Sequence, residues 1–291
     1  MKQYAIADIG SNTMVLVVYE IYDGRPFQIY HKSTPAHLID DVDAAGHMSQ
    51  HGIRKAYDVL MTYKETCDEM KISCRWADIT EPCRISNQAE LVQALSSCSF
   101  EIHPLTGYQE AACDYLGSKN SYPDQKDGIA FDVGGGSTEL ISFQDGKIVE
   151  AMSFHLGCVR LAHLPLDTEE CAQQLKKAQR EYPSLQRNSK ELIGIGGTIR
   201  ATGLVCDALY HTKSTISTAH LQELYQKLIN QDKAALNAMQ DNVKASRQPV
   251  FLPGIHMILE ICRIFQAETI LVSDSGIREG FLQECLLRQN D

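Results

Sequence analysis

Four stretches of this chain set glycines and small hydroxylated residues directly after an apolar run. They are Asp8-Ile-Gly-Ser-Asn-Thr13, Asp132-Val-Gly-Gly-Gly-Ser-Thr-Glu139, Gly194-Ile-Gly-Gly-Thr198 and Ser273-Asp-Ser-Gly276. Each would expose a row of backbone N–H groups. Successive glycines let the main chain approach a ligand and adopt positive φ, so several amides can point at one anion, and a phosphate suits such a loop. The aspartate heading each of the first two stretches cannot bind phosphate itself. It can hold a magnesium ion, directly or through water, because that hard cation selects oxygen ligands. Asp8 and Asp132 are therefore candidate metal or water ligands. One such loop taken alone is better explained by a hairpin turn whose aspartate caps its own backbone, and two loops related by a repeat shift that balance.

The elements around these loops repeat. Residues 4–8 read as a strand, 14–21 as a second and 27–30 as a third, with Asp23-Gly24 as the hairpin turn between the last two. The same plan returns at 129–134, 138–143 and on to Phe154, turning at Asp145-Gly146. Placing Asp8 on Asp132, an offset of 124 residues, sets Gly10 on Gly134, Thr13 on Ser137 and Leu16 on Leu140. A duplication at this spacing implies two related domains facing each other. Val15 then stands where the second copy has Glu139, so the copies are chemically unequal. The polar stretch 118–128 is the best linker, dividing an N-terminal domain 1–118 from a C-terminal domain 119–280, with a helix at 281–291 able to pack back on the first.

Helical periodicity marks 52–70, 88–98 and 109–117 in the first half. In the second half Asp167 with Glu170 resembles a capping box before a helix ending near Tyr182, and apolar faces at Leu221 to Leu228 and Ile255 to Cys262 mark two more. Residues 191–195 and 269–272 are strand candidates, each followed by a small-residue loop.

Composition narrows the chemistry. A chain of 291 residues, 44% hydrophobic and 22% charged, is large enough for two ordinary cores. Its formal charge of -10 gives no long-range attraction for a nucleic-acid polymer or an anionic membrane, so a polyanionic substrate must be held by local groups. Ten cysteines without a C-x-x-C pair read as buried reduced thiols, and the absence of a signal-like or membrane-spanning segment leads us to expect a cytoplasmic protein. There is no G-x-x-x-x-G-K-[ST], and Gly194-Ile-Gly196 lacks the third glycine of a dinucleotide fingerprint.

Seven segments then resemble, in order, the exopolyphosphatase and guanosine pentaphosphate phosphohydrolase family: DIGSNT (8–13), TGYQEA (106–111), FDVGGGSTEL (131–140), SFHLGCVRL (153–161), GIGGTIRATG (194–203), FLPG (251–254) and SDSGIREGFL (273–282). The resemblance implies an α/β protein of two duplicated actin-like (ribonuclease H-like) ATPase domains, each a mixed sheet with helices, with the active site in the cleft between them. It implies hydrolysis of a terminal phosphate from inorganic polyphosphate or guanosine pentaphosphate with magnesium, and it leaves room for a homodimer. Position by position, Glu110 matches the catalytic glutamate that polarises the attacking water, and Asp132 and Glu139 match the metal-linked or water-linked acids, beside Asp8, the candidate ligand read from its own loop. Gly10, Ser11, Asn12 and Thr13 would grip phosphate from one wall and Gly134, Gly135, Gly136, Ser137 and Thr138 from the other. Gly196, Gly197 and Thr198 would add a third set of donors. Arg160 and Arg200 fall in matching blocks as substrate contacts or as structural residues.

The chain departs from the family in three places. Met14 and Val15 stand where a basic residue or histidine is usual, Ala36-His-Leu-Ile39 replaces Val-Arg-Leu-Gly, and a block commonly reading Ala-Thr-Ser-Ala-Leu-Arg lies within Asp78-Ile-Thr-Glu-Pro-Cys-Arg84. The added acids oppose a long polyanion, which favours a shorter phosphate chain or guanosine pentaphosphate. An ATP-dependent kinase of the sugar or acetate type, or a non-catalytic nucleotide or polyphosphate sensor, would share the paired loops. Phosphate release without an acceptor separates the first from a hydrolase, and the presence of both Glu110 and Asp132 argues against the second.

Overall fold

The computed structural model describes residues 2–23, 25–165, 168–212 and 214–290, so Gly24 of the first hairpin turn and Asp167 of the expected capping box lie outside the described residues. The chain divides into two compact units, Met1–Gln109 and Glu110–Asp291.

The first unit runs β1 (Gln3–Ile9), β2 (Thr13–Tyr22), β3 (Arg25–Pro35), α1 (Gln50–Glu69), β4 (Cys74–Ile79), α2 (Gln88–Ser96) and β5 (Glu101–Pro104). Its sheet has the order β3-β2-β1-β4-β5, an antiparallel meander continued by two parallel strands. Alternate residues of the sheet, Ala5, Ala7, Ile9, Met14, Leu16 and Val18, form a core with Ile53, Ala56, Leu60 and Tyr63 of α1 and Leu91 and Leu95 of α2. Strand alternation therefore turns Asp8 to the opposite face.

The second unit runs α3 (Gly107–Ser118), β6 (Gly128–Val133), β7 (Thr138–Gln144), β8 (Lys147–Phe154), α4 (Cys158–Leu161), α5 (Glu170–Glu181), β9 (Glu191–Ile195), α6 (Gly196–Tyr210), β10 (Thr215–Ser217), α7 (Thr218–Ile229), α8 (Lys233–Asn242), α9 (Gln248–Phe265), β11 (Thr269–Val272) and α10 (Ile277–Asn290). Its sheet reads β8-β7-β6-β9-β11 in the first sheet's order, with β10 added antiparallel at the end. The duplication extends to register. Asp8 pairs with Val15 and Ile9 with Met14, while Asp132 pairs with Glu139 and Val133 with Thr138. Both hairpins carry their irregularity at the equivalent step, between Val18 and Tyr19 and between Ser142 and Phe143. Asp145 and Gly146 both have positive φ, as a two-residue type I′ hairpin turn requires.

The division falls at 109/110 rather than at 118/119 because α3 packs into the second sheet. Its Ala111 and Tyr115 share a core with Ala130, Ile141, Phe143, Ile193 and Ile195. The polar stretch 118–128 is a packed loop of the second unit, where the Tyr122 hydroxyl donates to the Val272 carbonyl at 2.9 Å. Helix α10 also belongs to the second unit, with Gly280 so close to the backbone of Cys113 on α3 that no Cβ would fit. Among the described residues no helix is long and apolar enough to cross a membrane.

Candidate active site

In the second unit Asp132, Glu139 and Ser153 lie in one row across β6, β7 and β8, each paired directly with the next. Directly paired residues project from the same side of a sheet. Ser153 donates a 2.6 Å hydrogen bond to Glu139, whose residue is only 1% exposed. That row shares its face with Ala130 and Ile141, the face on which α3 packs. Glu110 sits in the first turn of this helix and is 8% exposed. The helix start is fixed by a reciprocal capping box: the Thr106 N–H donates to Gln109 Oε1 at 2.9 Å and the Gln109 N–H to Thr106 Oγ1 at 3.2 Å. The block TGYQEA thus places Glu110 one residue inside a capped helix.

The loop after β6 is held from behind. The carbonyls of Gly134 and Gly135 accept from the N–H groups of Cys158 and Val159, both at 2.9 Å, and the carbonyl of Gly136 accepts from Arg160 Nε at 2.9 Å. In a planar trans peptide the N–H points opposite the carbonyl, so the amides of residues 135–137 are turned away from α4. This corrects the expectation of a nest made by positive φ. Among the described residues the glycines with positive φ are Gly46, Gly146 and Gly196, and none of Gly134 to Gly136. Arg160 is a clamp on the loop through Nε. Thr138 is fully buried and its hydroxyl donates to the Leu156 carbonyl at 2.7 Å, so its side chain donor is already used.

The third predicted loop is a helix start. Gly196 and Gly197 open α6 directly at the end of β9, with Gly196 at φ 86°. The Asp132 carboxylate covers Gly196 so closely that no Cβ could be accommodated. A carboxylate at a helix amino end is stabilised by the macrodipole, by up to about 2 kcal/mol where partly buried. The first amides of α6 lack intrahelical acceptors and offer anion donors beside that carboxylate. Thr198 contributes no free hydroxyl to a ligand, since it donates to the Val133 carbonyl at 2.6 Å and ties α6 to β6.

Positive charge gathers at the same end of the sheet. Arg247, which stands just before α9, presses its guanidinium against Gly197 where a side chain would collide. Arg200 donates from Nη1 to the Ser273 carbonyl at 3.4 Å. Burial first, and then the like charge of Arg278, pulls Arg200 below the usual guanidinium range, while Asp132 and Glu279 oppose the shift. Lys244 is likewise lowered, by burial and then by Arg247 and Arg278. A chain of net negative charge thus carries a local cationic cluster around Asp132. Sequence reading missed Arg247, Arg278, Lys244 and Ser153. Ser153 lies inside the recognised block SFHLGCVRL, and Arg247 is four residues before FLPG.

In the first unit Asp8 lies in register with Asp78 on β4, which in turn pairs with His103 on β5. Gly10, Ser11 and Asn12 connect β1 to β2, which Thr13 opens. Asn12 uses its carbonyl to accept the N–H groups of Ala36 and His37, both at 3.0 Å. Ser11 is buried and its hydroxyl donates to the Glu81 carboxylate.

Among the described residues no three His, Cys, Asp or Glu side chains converge as an all-protein metal cage. Magnesium is held by one or two carboxylates together with water and substrate phosphate oxygens. The oxygen-only set of Asp132 and Glu139 beside outward-facing amides fits that ion.

The family model described as the Ppx/GppA phosphatase family matches residues 17–289. A Haemophilus influenzae protein carrying the provisional name of exopolyphosphatase is 23% identical over 296 residues, spanning 97% of this chain and 91% of that one. The crystal structure of the Aquifex aeolicus member of the Ppx/GppA family is 25% identical with a TM-score of 0.79, covering 100% of this chain and 99% of its own. That of an exopolyphosphatase from Cytophaga hutchinsonii has a TM-score of 0.83 at 20% identity, covering 98% of each chain, and shows the shared fold.

Proposed function

Because the chain belongs to the Ppx/GppA phosphatase family, we propose that it releases the terminal phosphate of inorganic polyphosphate, or of guanosine pentaphosphate, by direct attack of water. The observation that carries this reading is the Asp132 carboxylate lying over the amino end of α6, next to the outward amides of residues 135–137. Acid and anion donors in that arrangement suit a phosphoryl group whose oxygens gain charge as the leaving chain departs.

In this reading Glu110 orients the attacking water and accepts its proton. The amides of 135–137 and of Gly197 and Thr198 hold the non-bridging oxygens, and Arg247 with Arg200 neutralises the leaving phosphate chain. Ser153 keeps Glu139 in one orientation, and residues 10–13 act as a second grip on the chain. Asp132 and Glu139, with Asp8, would hold magnesium, which supplies charge neutralisation on the phosphate oxygens when bound. No residue needs to form a covalent intermediate.

The test measures phosphate release from long polyphosphate, tripolyphosphate and guanosine pentaphosphate with magnesium and no acceptor, comparing wild type with Glu110→Ala. A loss of at least about a hundredfold is expected, the range for removing a general base. Unchanged turnover in the variant would sink the assignment of Glu110, and no release without an acceptor would favour a kinase.

A further inference from the structure

Helix α9 packs against both α4 and α6, and it meets them at a glycine. A Cβ at Gly254 would stand 2.6 Å from Thr198 Cγ2, in the first turn of α6, and 3.5 Å from Cys158 Cβ, at the start of α4. Each of these neighbours is tied to a turn that presents amides. The Thr198 hydroxyl donates to the Val133 carbonyl at 2.6 Å and fixes the start of α6 on β6. The Cys158 N–H donates to the Gly134 carbonyl at 2.9 Å and holds the loop after β6 from behind. Gly254 thus lies where one helix bears on the supports of both sets of amides.

An added methyl at 254 has to open the gap to Thr198 Cγ2 from 2.6 Å to at least the 3.4 Å of ordinary van der Waals contact. On α9 the side chains of Phe251, Ile255, Ile258, Ile261 and Phe265 are buried, so this helix cannot retreat without unpacking a core. The Thr198 methyl cannot rotate away, because a β-branched side chain is stiff and its hydroxyl is engaged by Val133. The first turn of α6, led by Gly196 and Gly197, is the softer partner and yields. A misplacement of about 1 Å at groups that hold a reacting centre can cost about a hundredfold in rate.

We infer that Gly254 is a positioning residue: its missing side chain lets α9 set the place of the α6 amides relative to those of residues 135–137. For its effect on turnover the inference rests on the phosphohydrolase reading, but its effect on the binding of a phosphoryl mimic can be read separately.

The experiment compares wild type, Gly254→Ala, Thr198→Ser and the double variant as magnesium-loaded full-length chains, with the folded fraction of each measured by circular dichroism. Serine at 198 keeps the hydroxyl that bonds Val133 and removes the methyl that the new Cβ would meet. Gly254→Ala is expected to lower kcat on tripolyphosphate about tenfold or more per folded molecule, with KM within about threefold. Calorimetric binding of orthovanadate, a mimic of the phosphoryl group in transfer, should weaken by a similar factor. In the Thr198→Ser background the same substitution should cost less than about threefold in both readouts. A loss of stability alone would leave kcat per folded molecule and vanadate affinity where they were. If Gly254→Ala does not fold, the double variant should fold and should match Thr198→Ser. Undiminished turnover and vanadate binding in folded Gly254→Ala overturn the inference, as does a double variant no better folded and no more active than Gly254→Ala. Vanadate binding lost in Gly254→Ala and regained in the double variant, with no phosphate release by any form, supports it and sinks the hydrolase reading instead.

Discussion

The Asp132 carboxylate lies against the α-carbon of Gly196 so closely that residue 196 has no room for a Cβ. Gly196 also sits at φ 86°, which L residues with side chains rarely adopt. Gly196→Ala must therefore move either the acid or the start of α6. We expect destabilisation of about 1–3 kcal/mol from the backbone conformation and a loss of phosphate release comparable to that of Asp132→Asn. Chemical denaturation and steady-state turnover measured together check this. Full activity in Gly196→Ala would show that the position of Asp132 is not used.

Arg247 touches the opening of α6 from the other side, at Gly197. If it grips the leaving chain, Arg247→Ala should raise KM for polyphosphate about tenfold or more while changing kcat far less, and should flatten the salt dependence of KM. Arg247→Lys should rescue poorly, since a point charge lacks the planar fork that meets phosphate with two donors. Equal kcat losses without a KM change would move Arg247 from binding to scaffold.

The duplication was legible because its signals are local. The offset of 124 residues fixes Asp8 on Asp132, and the same offset carries Val15 onto Glu139, Ile9 onto Val133 and even one bulge onto the other. Gly194-Ile-Gly-Gly-Thr198 was read as a loop because its glycines have weak helix propensity. Tertiary packing overrides that, since Thr198 is tied to Val133 and Gly196 makes room for Asp132. The division between units was misplaced because 118–128 has the composition of a linker, whereas Tyr115 and Tyr122 belong to the second core. Arg247 and Lys244 were out of reach: they are far in sequence from Asp132, and a basic residue on a polar segment carries no local mark of its partner.

Burial shapes the response of the protein to alkali. Cys67 and Cys158 are pushed up to about 11, and Cys171, Cys206 and Cys262 to about 12, chiefly by desolvation. Tyr63, whose hydroxyl donates to the Met14 carbonyl at 2.8 Å, is raised to about 12 by burial, with Asp8 adding to the shift. These groups are neutral in the fold and ionise more easily when unfolded. Their contribution to stability is complete below about pH 9, where unfolded thiols begin to ionise, and is lost as pH rises toward 11 to 12. Denaturation midpoints should accordingly fall steadily above pH 9. At pH 8 a thiol reagent should label the partly exposed Cys74 ahead of the nine buried cysteines, with all ten reacting only in denaturant. Rapid labelling of several thiols in the native protein would contradict the packing of both cores.

The hydrogen bond from Ser153 to Glu139 separates a positioning role from a chemical one. Glu139 is almost fully buried and accepts the Ser153 hydroxyl hydrogen from the neighbouring strand. Glu139→Gln keeps the shape and removes the charge, and should cost about a hundredfold or more in kcat if the acid serves the reacting phosphate through magnesium. Ser153→Ala leaves the charge and removes this restraint, costing about 1.5–3 kcal/mol of stability for the lost hydrogen bond to a charged group. Its kcat loss should be smaller, about tenfold. Raising magnesium should recover part of the activity of Ser153→Ala, because the acid is intact and only loosely placed, whereas Glu139→Gln should recover none. Equal magnesium responses in the two variants would place Glu139 in the scaffold of β7 and leave Asp132 as the acid of this unit.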